Sequence, residues 1–254
     1  LGTSSSSPMI PLIFKTNLKV ENETQLILSH LPDNYSLSPS EHTCYASLFF
    51  MVPGIGHSLR INGTLTAINT HDGIFNIEGV YFHCARAAAR SDLFGDNQAA
   101  QIHNDITKDN IINQSPYGLL KTHDIQAKTE ISPRGDEAGF IKTINNNTLF
   151  MPERPGNKVA VSLRNIINNP NIELLLLLPN TGYTLNIRGQ AHVTTDPTLL
   201  ALSDVNGKQA KIGVVIEVTS KQFQFDQRLA TSGLWDNKAY VDKKSLTPFS
   251  KALS

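Results

Sequence analysis

Arg154, Ser162 and Arg164 bring two guanidinium groups and a hydroxyl to one short segment. Residues Val159–Asn168 carry apolar side chains at helical spacing and stop at Asn169-Pro170, which predicts a helix. Cations, a hydroxyl and the open amides of a helix's first turn are what a phosphate dianion requires. Gly156 would let backbone approach such an anion closely. The competing reading is a set of solvated surface arginines. Asn157 and Asn165 are equally readable as hydrogen-bonding amides at a ligand or as turn caps.

A second set lies earlier in the chain. His83 and Cys84 are adjacent, followed by Arg86. Neighbours in sequence seldom share one chemical task, and two side chains do not complete a metal site. The predicted arrangement is a strand-to-helix junction with His83 polar and Cys84 packed. No metal site is expected, and no catalytic residue stands out. Arg134, in Ser132-Pro-Arg-Gly-Asp136, reads either as facing a pocket or as bonded to Asp136 in a tight turn.

These residues are carried by a sequence that repeats itself. Asn22–Asn34 aligns with Asn145–Asn157, Leu48–Gly63 with Leu174–Gly189, and Phe82–Phe94 with Phe223–Trp235. The middle pair predicts two hairpins, each with a short turn containing Pro53 or Pro179. Strands are predicted over Met9–Lys15, Gln25–Ser29, Ala46–Val52, Ser58–Thr66, Tyr117–Thr122, Phe140–Ile144, Thr148–Met151, Ile172–Leu178 and Thr184–Val193. Helices are sparse: Cys84–Leu93, a linker over Asp96–Asn113, Val159–Asn168 and one opened by Asp196-Pro197. Short strands with turn signals between them suggest barrels, giving a shortened first copy over 1–96 and a fuller second over 97–254.

Composition bounds the function. With 254 residues, 40% hydrophobic and 17% charged, the chain reads as an ordinary globular protein. Lys+Arg and Asp+Glu both number 22, which argues against nucleic acid as a partner without excluding a local basic pocket. Two cysteines make a disulfide framework unexpected. The leucine run before Pro179 is strand-sized, reads as a strand buried on both faces, and gives no reason to expect a membrane partner. A cytoplasmic location is the default.

Ser132-Pro-Arg-Gly-Asp136, Pro152-Glu-Arg-Pro-Gly-Asn157, Ser162-Leu-Arg-Asn165 and Ser232-Gly-Leu-Trp-Asp236 resemble the pyridoxamine 5′-phosphate oxidase-like FMN-binding split-barrel family. The first copy resembles the later part of the same pattern, through Leu59-Arg-Ile-Asn-Gly63 and Phe82-His-Cys-Ala-Arg-Ala87. The resemblance implies a mainly β protein of two fused split barrels forming an intrachain pseudo-dimer, with FMN in the cleft between them. Each copy lacks what the other retains. The second copy has Asn186 against Arg60 and Gln224, Phe225 and Gln227 in place of the His83-Cys84-Arg86 element; the first lacks the Arg154 and Ser162 elements. One composite flavin cleft is therefore expected, touched by Arg154, Gly156, Asn157, Ser162, Arg164, Asn165 and Arg134 from the second copy. Arg60, Asn62, His83, Cys84 and Arg86 would reach it from the first. The implied activity is an FMN-dependent oxidoreductase acting on a small-molecule substrate or reduced nicotinamide. The alternative is a non-catalytic module that stores or senses flavin or haem.

Overall fold

The computed structural model describes residues 9, 10, 12, 14–31, 43–95, 106–154, 160–204, 209–242 and 245. The architecture is mainly antiparallel β with few short helices, as the sequence predicts. The first sheet contains β1 (Leu18–Asn22), β2 (Gln25–Leu28), β3 (Thr43–Val52), β4 (Ile55–Ala67) and β5 (Gly73–His83), in the order β1-β2-β5-β4-β3. The second contains β6 (Tyr117–His123), β7 (Thr129–Gly135), β8 (Lys142–Asn145), β9 (Thr148–Pro152), β10 (Asn171–Leu177), β11 (Tyr183–Thr194) and β12 (Gly213–Phe225). Its order, β8-β9-β12-β11-β10-β6-β7, is the five-strand pattern of the first sheet with the β6-β7 hairpin added.

The correspondence extends to irregularities. The β4–β5 ladder slips between Asn62 and Gly63, and the β11–β12 ladder slips between Arg188 and Gly189. Just there the turn of each preceding hairpin accepts one backbone bond, Ile77 N–H to Thr24 O at 2.8 Å and Val218 N–H to Asn147 O at 2.7 Å. Each ladder thus has one bulged residue, stabilised by the hairpin packed on its edge.

Alternation along the strands sorts side chains between two environments. In β10, Leu174 and Leu176 enter the core of the second sheet, whereas Leu175 and Leu177 face a separate apolar cluster at the seam between the sheets. The leucine run is therefore buried on both faces, as predicted. From the first sheet, Phe49, Met51, Leu93 and Phe94 enter the seam; their aligned counterparts Leu175, Leu177, Leu234 and Trp235 enter it from the second. The seam is approximately self-complementary, as an interface between two like units must be. Leu26, Leu28, Leu48, Leu65 and Phe75 form the first sheet's own core.

Short helices fill the connections: α1 (Phe14–Asn17), α2 (Arg86–Arg90), α3 (Ile111–Gln114), α4 (Val161–Asn168), α5 (Pro197–Ala201) and α6 (Gln227–Thr231). The strand predicted over Met9–Lys15 is not formed by its described residues. Met9 N–H instead donates to the Glu173 carboxylate at 2.8 Å, and Phe14 opens α1. Asn17 Nδ2 donates to the carbonyls of Ser29 and His30, both at 3.0 Å, holding this turn on the end of β2. Of the predicted linker, 96–105 lie outside the described residues and Ile111–Gln114 form one helical turn. No helix among the described residues is long and apolar enough to cross a membrane.

Candidate functional site

The two sheets leave a cleft of about 410 Å³ between them. One wall is Arg60 from β4, Val80–His83 at the end of β5, then Cys84, Arg86 and Arg90 at α2. The other is Glu130, Ser132 and Arg134 from β7, Glu153 and Arg154 after β9, and Ala160 and Ser162 at the start of α4. Residues of both copies thus meet in one concavity.

Strand geometry positions most of these groups. Glu130, Ser132 and Arg134 alternate along β7 and share the face it turns to the cleft. Pro133 is tolerated because β7 is the outermost strand of its sheet. Helix α2 lies close against the end of β7. A Cβ on Gly135 would stand 2.4 Å from the Ala87 carbonyl oxygen, so only glycine admits this approach. Arg90 Nε fastens the contact, donating to Gly135 O at 3.0 Å.

Arg60 is buried to 5% exposure and its Nη1 meets Glu130 Oε1 at 2.5 Å and Ile131 O at 3.2 Å. Its guanidinium also lies 4.6 Å from the ring centre of Tyr81, its cross-strand partner. Asn165, predicted as a ligand contact or a cap, is buried behind the cleft. It donates to Thr122 Oγ1 at 3.0 Å and Glu130 Oε2 at 3.3 Å, so it orients the carboxylate that holds Arg60.

Asp136 pairs with Arg154, while Arg134 lies 3.5 Å from Glu153 and donates to Pro133 O at 3.0 Å. The Arg134–Asp136 bond considered from sequence is thereby replaced, because residues 129–135 form a strand rather than a tight turn. Ser162 is buried and shares a 2.8 Å hydrogen bond with Ser132. Helix α4 begins at Ala160 without a side-chain cap, leaving its first N–H groups without intrahelical acceptors beside the cleft.

His83 packs against Phe49 with ring centres 5.5 Å apart. Burial, then the charges of Arg60 and Arg134, lower its pKa to about 4, so the imidazole is neutral near pH 7. Cys84 is exposed on the cleft wall, not packed as the sequence suggested, because the chain leaves β5 there before turning into α2. Arg86 also lines the wall. Arg164 is exposed on α4 and does not line the cleft, and Asn62 accepts a 2.9 Å bond from Ser47 away from it. Gly156 and Asn157 lie outside the described residues. Trp235 packs in the seam cluster.

Sequence reasoning missed Glu130, Glu153 and Tyr81. The signal for Glu130 was present: Glu130, Ser132 and Arg134 recur at the period of a strand. Four buried polar atoms of the cleft residues have no hydrogen-bond partner among the described residues, namely Arg60 Nε, Arg134 Nε, His83 Nε2 and Glu153 Oε2. Each such atom costs roughly 1–3 kcal/mol when left unsatisfied, so their convergence marks a place for a polar ligand.

No family model matches the chain, and no curated protein matches it. It is similar in structure to several solved proteins. A putative pyridoxamine 5′-phosphate oxidase from Lactobacillus delbrueckii has 15% identity and a TM-score of 0.36, with 48% of this chain and 96% of that one covered. General Stress Protein 26 from Bacillus anthracis has 17% identity and a TM-score of 0.36, covering 46% and 95%. HutZ, a haem storage protein from Vibrio cholerae, has 12% identity and a TM-score of 0.32, covering 46% and 90%.

Proposed function

We propose that the chain is a tandem pair of flavin-binding barrels holding one FMN in the composite cleft, and that it exchanges electrons with a small substrate or reduced nicotinamide. The observation that carries this reading is the convergence of the four unpartnered polar atoms in a cleft built from both copies. Five arginines stand at the cleft against Glu130, Glu153 and the Asp136 partner of Arg154, an excess of positive charge suited to a phosphate dianion. Arg154, Ser162 and the uncapped start of α4 would hold the phosphate. Tyr81 and Phe82 offer aromatic surface to a flat ring.

Bound there, FMN would supply the hydride chemistry, and the protein would supply position and electrostatics. Neutral His83 adds a hydrogen-bonding group to the wall without a further positive charge. Asn165, through Glu130, keeps Arg60 in place.

The twin position is differently furnished. Asn186, aligned with Arg60, bonds to Glu173 of its own sheet, which also meets Lys121 at 2.5 Å and Met9 N–H. Tyr183 stacks on Phe223 there, with ring centres 5.4 Å apart. Glu173 is neutralised within its own sheet, and Asn186 Oδ1 is left unpartnered there among the described residues against four such atoms at the cleft, which favours a single ligand site per chain. The test is an absorbance titration of the protein with FMN, with stoichiometry determined and reduction by NADH or NADPH followed. Binding without reduction would leave a flavin carrier.

His83 favours one second reading. A half-buried neutral imidazole with Nε2 unpartnered among the described residues is a ligand of the kind that holds haem iron. Titration with haemin decides it: an intense Soret band, lost in His83→Ala, would support haem over flavin.

A further inference from the structure

We propose that Glu153 and Arg134 form a specificity pair that reads the imide edge of the flavin ring, Glu153 accepting from the ring N–H and Arg134 donating to an adjacent carbonyl. The inference rests on the flavin reading above and adds the groups that would choose the ring. Both residues are fixed by their surroundings. Arg134 is on β7, with Nη1 held by Pro133 O, so its guanidinium plane is set and Nε remains without a partner. Glu153 follows β9, and its N–H donates to Ile212 O at 3.0 Å.

The 3.5 Å between Arg134 Nη2 and Glu153 Oε2 neutralises charge without a good hydrogen bond. Glu153 Oε2 consequently remains a buried acceptor in a cleft otherwise rich in donors. A phosphate gives such an acceptor nothing, and the carboxylates of a porphyrin would be repelled by it. A ring that presents an N–H beside a carbonyl satisfies both members at once. The cyclic imide of an isoalloxazine has that pattern. A site built around a buried acceptor discriminates strongly against analogues that lack the matching donor.

The test compares FMN with FMN methylated at N3, followed by quenching of flavin fluorescence. In the unaltered protein, methylation should weaken binding by roughly tenfold or more, the equivalent of one lost hydrogen bond to a charged group. Glu153→Ala should remove most of that difference, whereas Glu153→Gln, which keeps an accepting oxygen, should retain it. Equal binding of both flavins by the unaltered protein would overturn the pair, as would discrimination unchanged in Glu153→Ala. Failure of the unaltered protein to bind FMN at all would remove the cofactor reading and this one together.

Discussion

Arg60 on β4 of the first sheet and Glu130 on β7 of the second meet at 2.5 Å, with side-chain exposures of 7% and 10%. This ion pair joins the two copies and forms part of the cleft wall. The same contact therefore belongs both to the association of the copies and to the wall of the cleft.

Breaking it from one side should be costly. Arg60→Met leaves the Glu130 carboxylate buried with Asn165 as its side-chain donor, and is expected to destabilise by about 3–5 kcal/mol. Arg60→Met with Glu130→Leu should cost clearly less than the sum of the two single changes, because no orphaned charge remains. Urea denaturation of the three variants measures the coupling. Additive losses would show that the pair does not interact.

His83 makes the cleft sensitive to acid. Its pKa is about 4 when folded and about 6.5 as a free side chain. Above the upper value neither state binds the proton. As pH falls from there towards 4 the unfolded chain takes up the proton first, so this residue's contribution to stability is lost. His83→Asn should flatten the pH dependence of the unfolding midpoint across that window. An NMR titration of the His83 ring that centres near 6.5 would contradict the burial argument.

The two bulges give a paired test of the repeated topology. A Cβ at Gly63 would stand 1.9 Å from Asn76 O, and one at Gly189 would stand 2.3 Å from Glu217 O. Gly63→Ala and Gly189→Ala should each destabilise by roughly 1–3 kcal/mol, as overpacking against backbone does. Thermal unfolding of both variants measures it. A neutral effect at either site would show that the bulge there readily opens.

Cys84 reports on the cleft chemically. It is exposed on the wall, whereas Cys44 is only partly accessible at the margin of the first core. A thiol reagent should modify Cys84 first, and FMN should slow that reaction in step with the fraction of clefts filled. Mass spectrometry of the labelled peptides follows both sites. Labelling of Cys84 at an unchanged rate under saturating FMN would place the ligand elsewhere.

The repeat was legible because its hairpin turns keep Pro and Gly at matching steps, and because Leu174–Leu177 is apolar on both faces. Strands β1 and β7 were missed, and so were the long strands β5 and β12. The far ends of β5 and β12 run through Glu78, Tyr81, Thr219 and Gln222, with one edge unpaired by β2 or β9, so burial never imposes a clean apolar pattern. At the site, Arg60, His83, Arg134, Arg154 and Ser162 were found from motif and type. Glu130 and Glu153 were not: the strand spacing of Glu130 with Ser132 and Arg134 shows that they share a face, but its pairing with Arg60 is set by the meeting of two sheets, and that of Glu153 with Arg134 by strands distant in sequence. Arg164 misled because a cation on a helix near a binding segment can equally face solvent.

The most direct test of the composite cleft is the FMN stoichiometry of the purified chain, read from its absorbance spectrum. Saturation is expected at one FMN per chain, with affinity lowered by Arg60→Met in the first copy and by Arg134→Met in the second. Two FMN per chain, or binding lost through only one copy's residue, would contradict it.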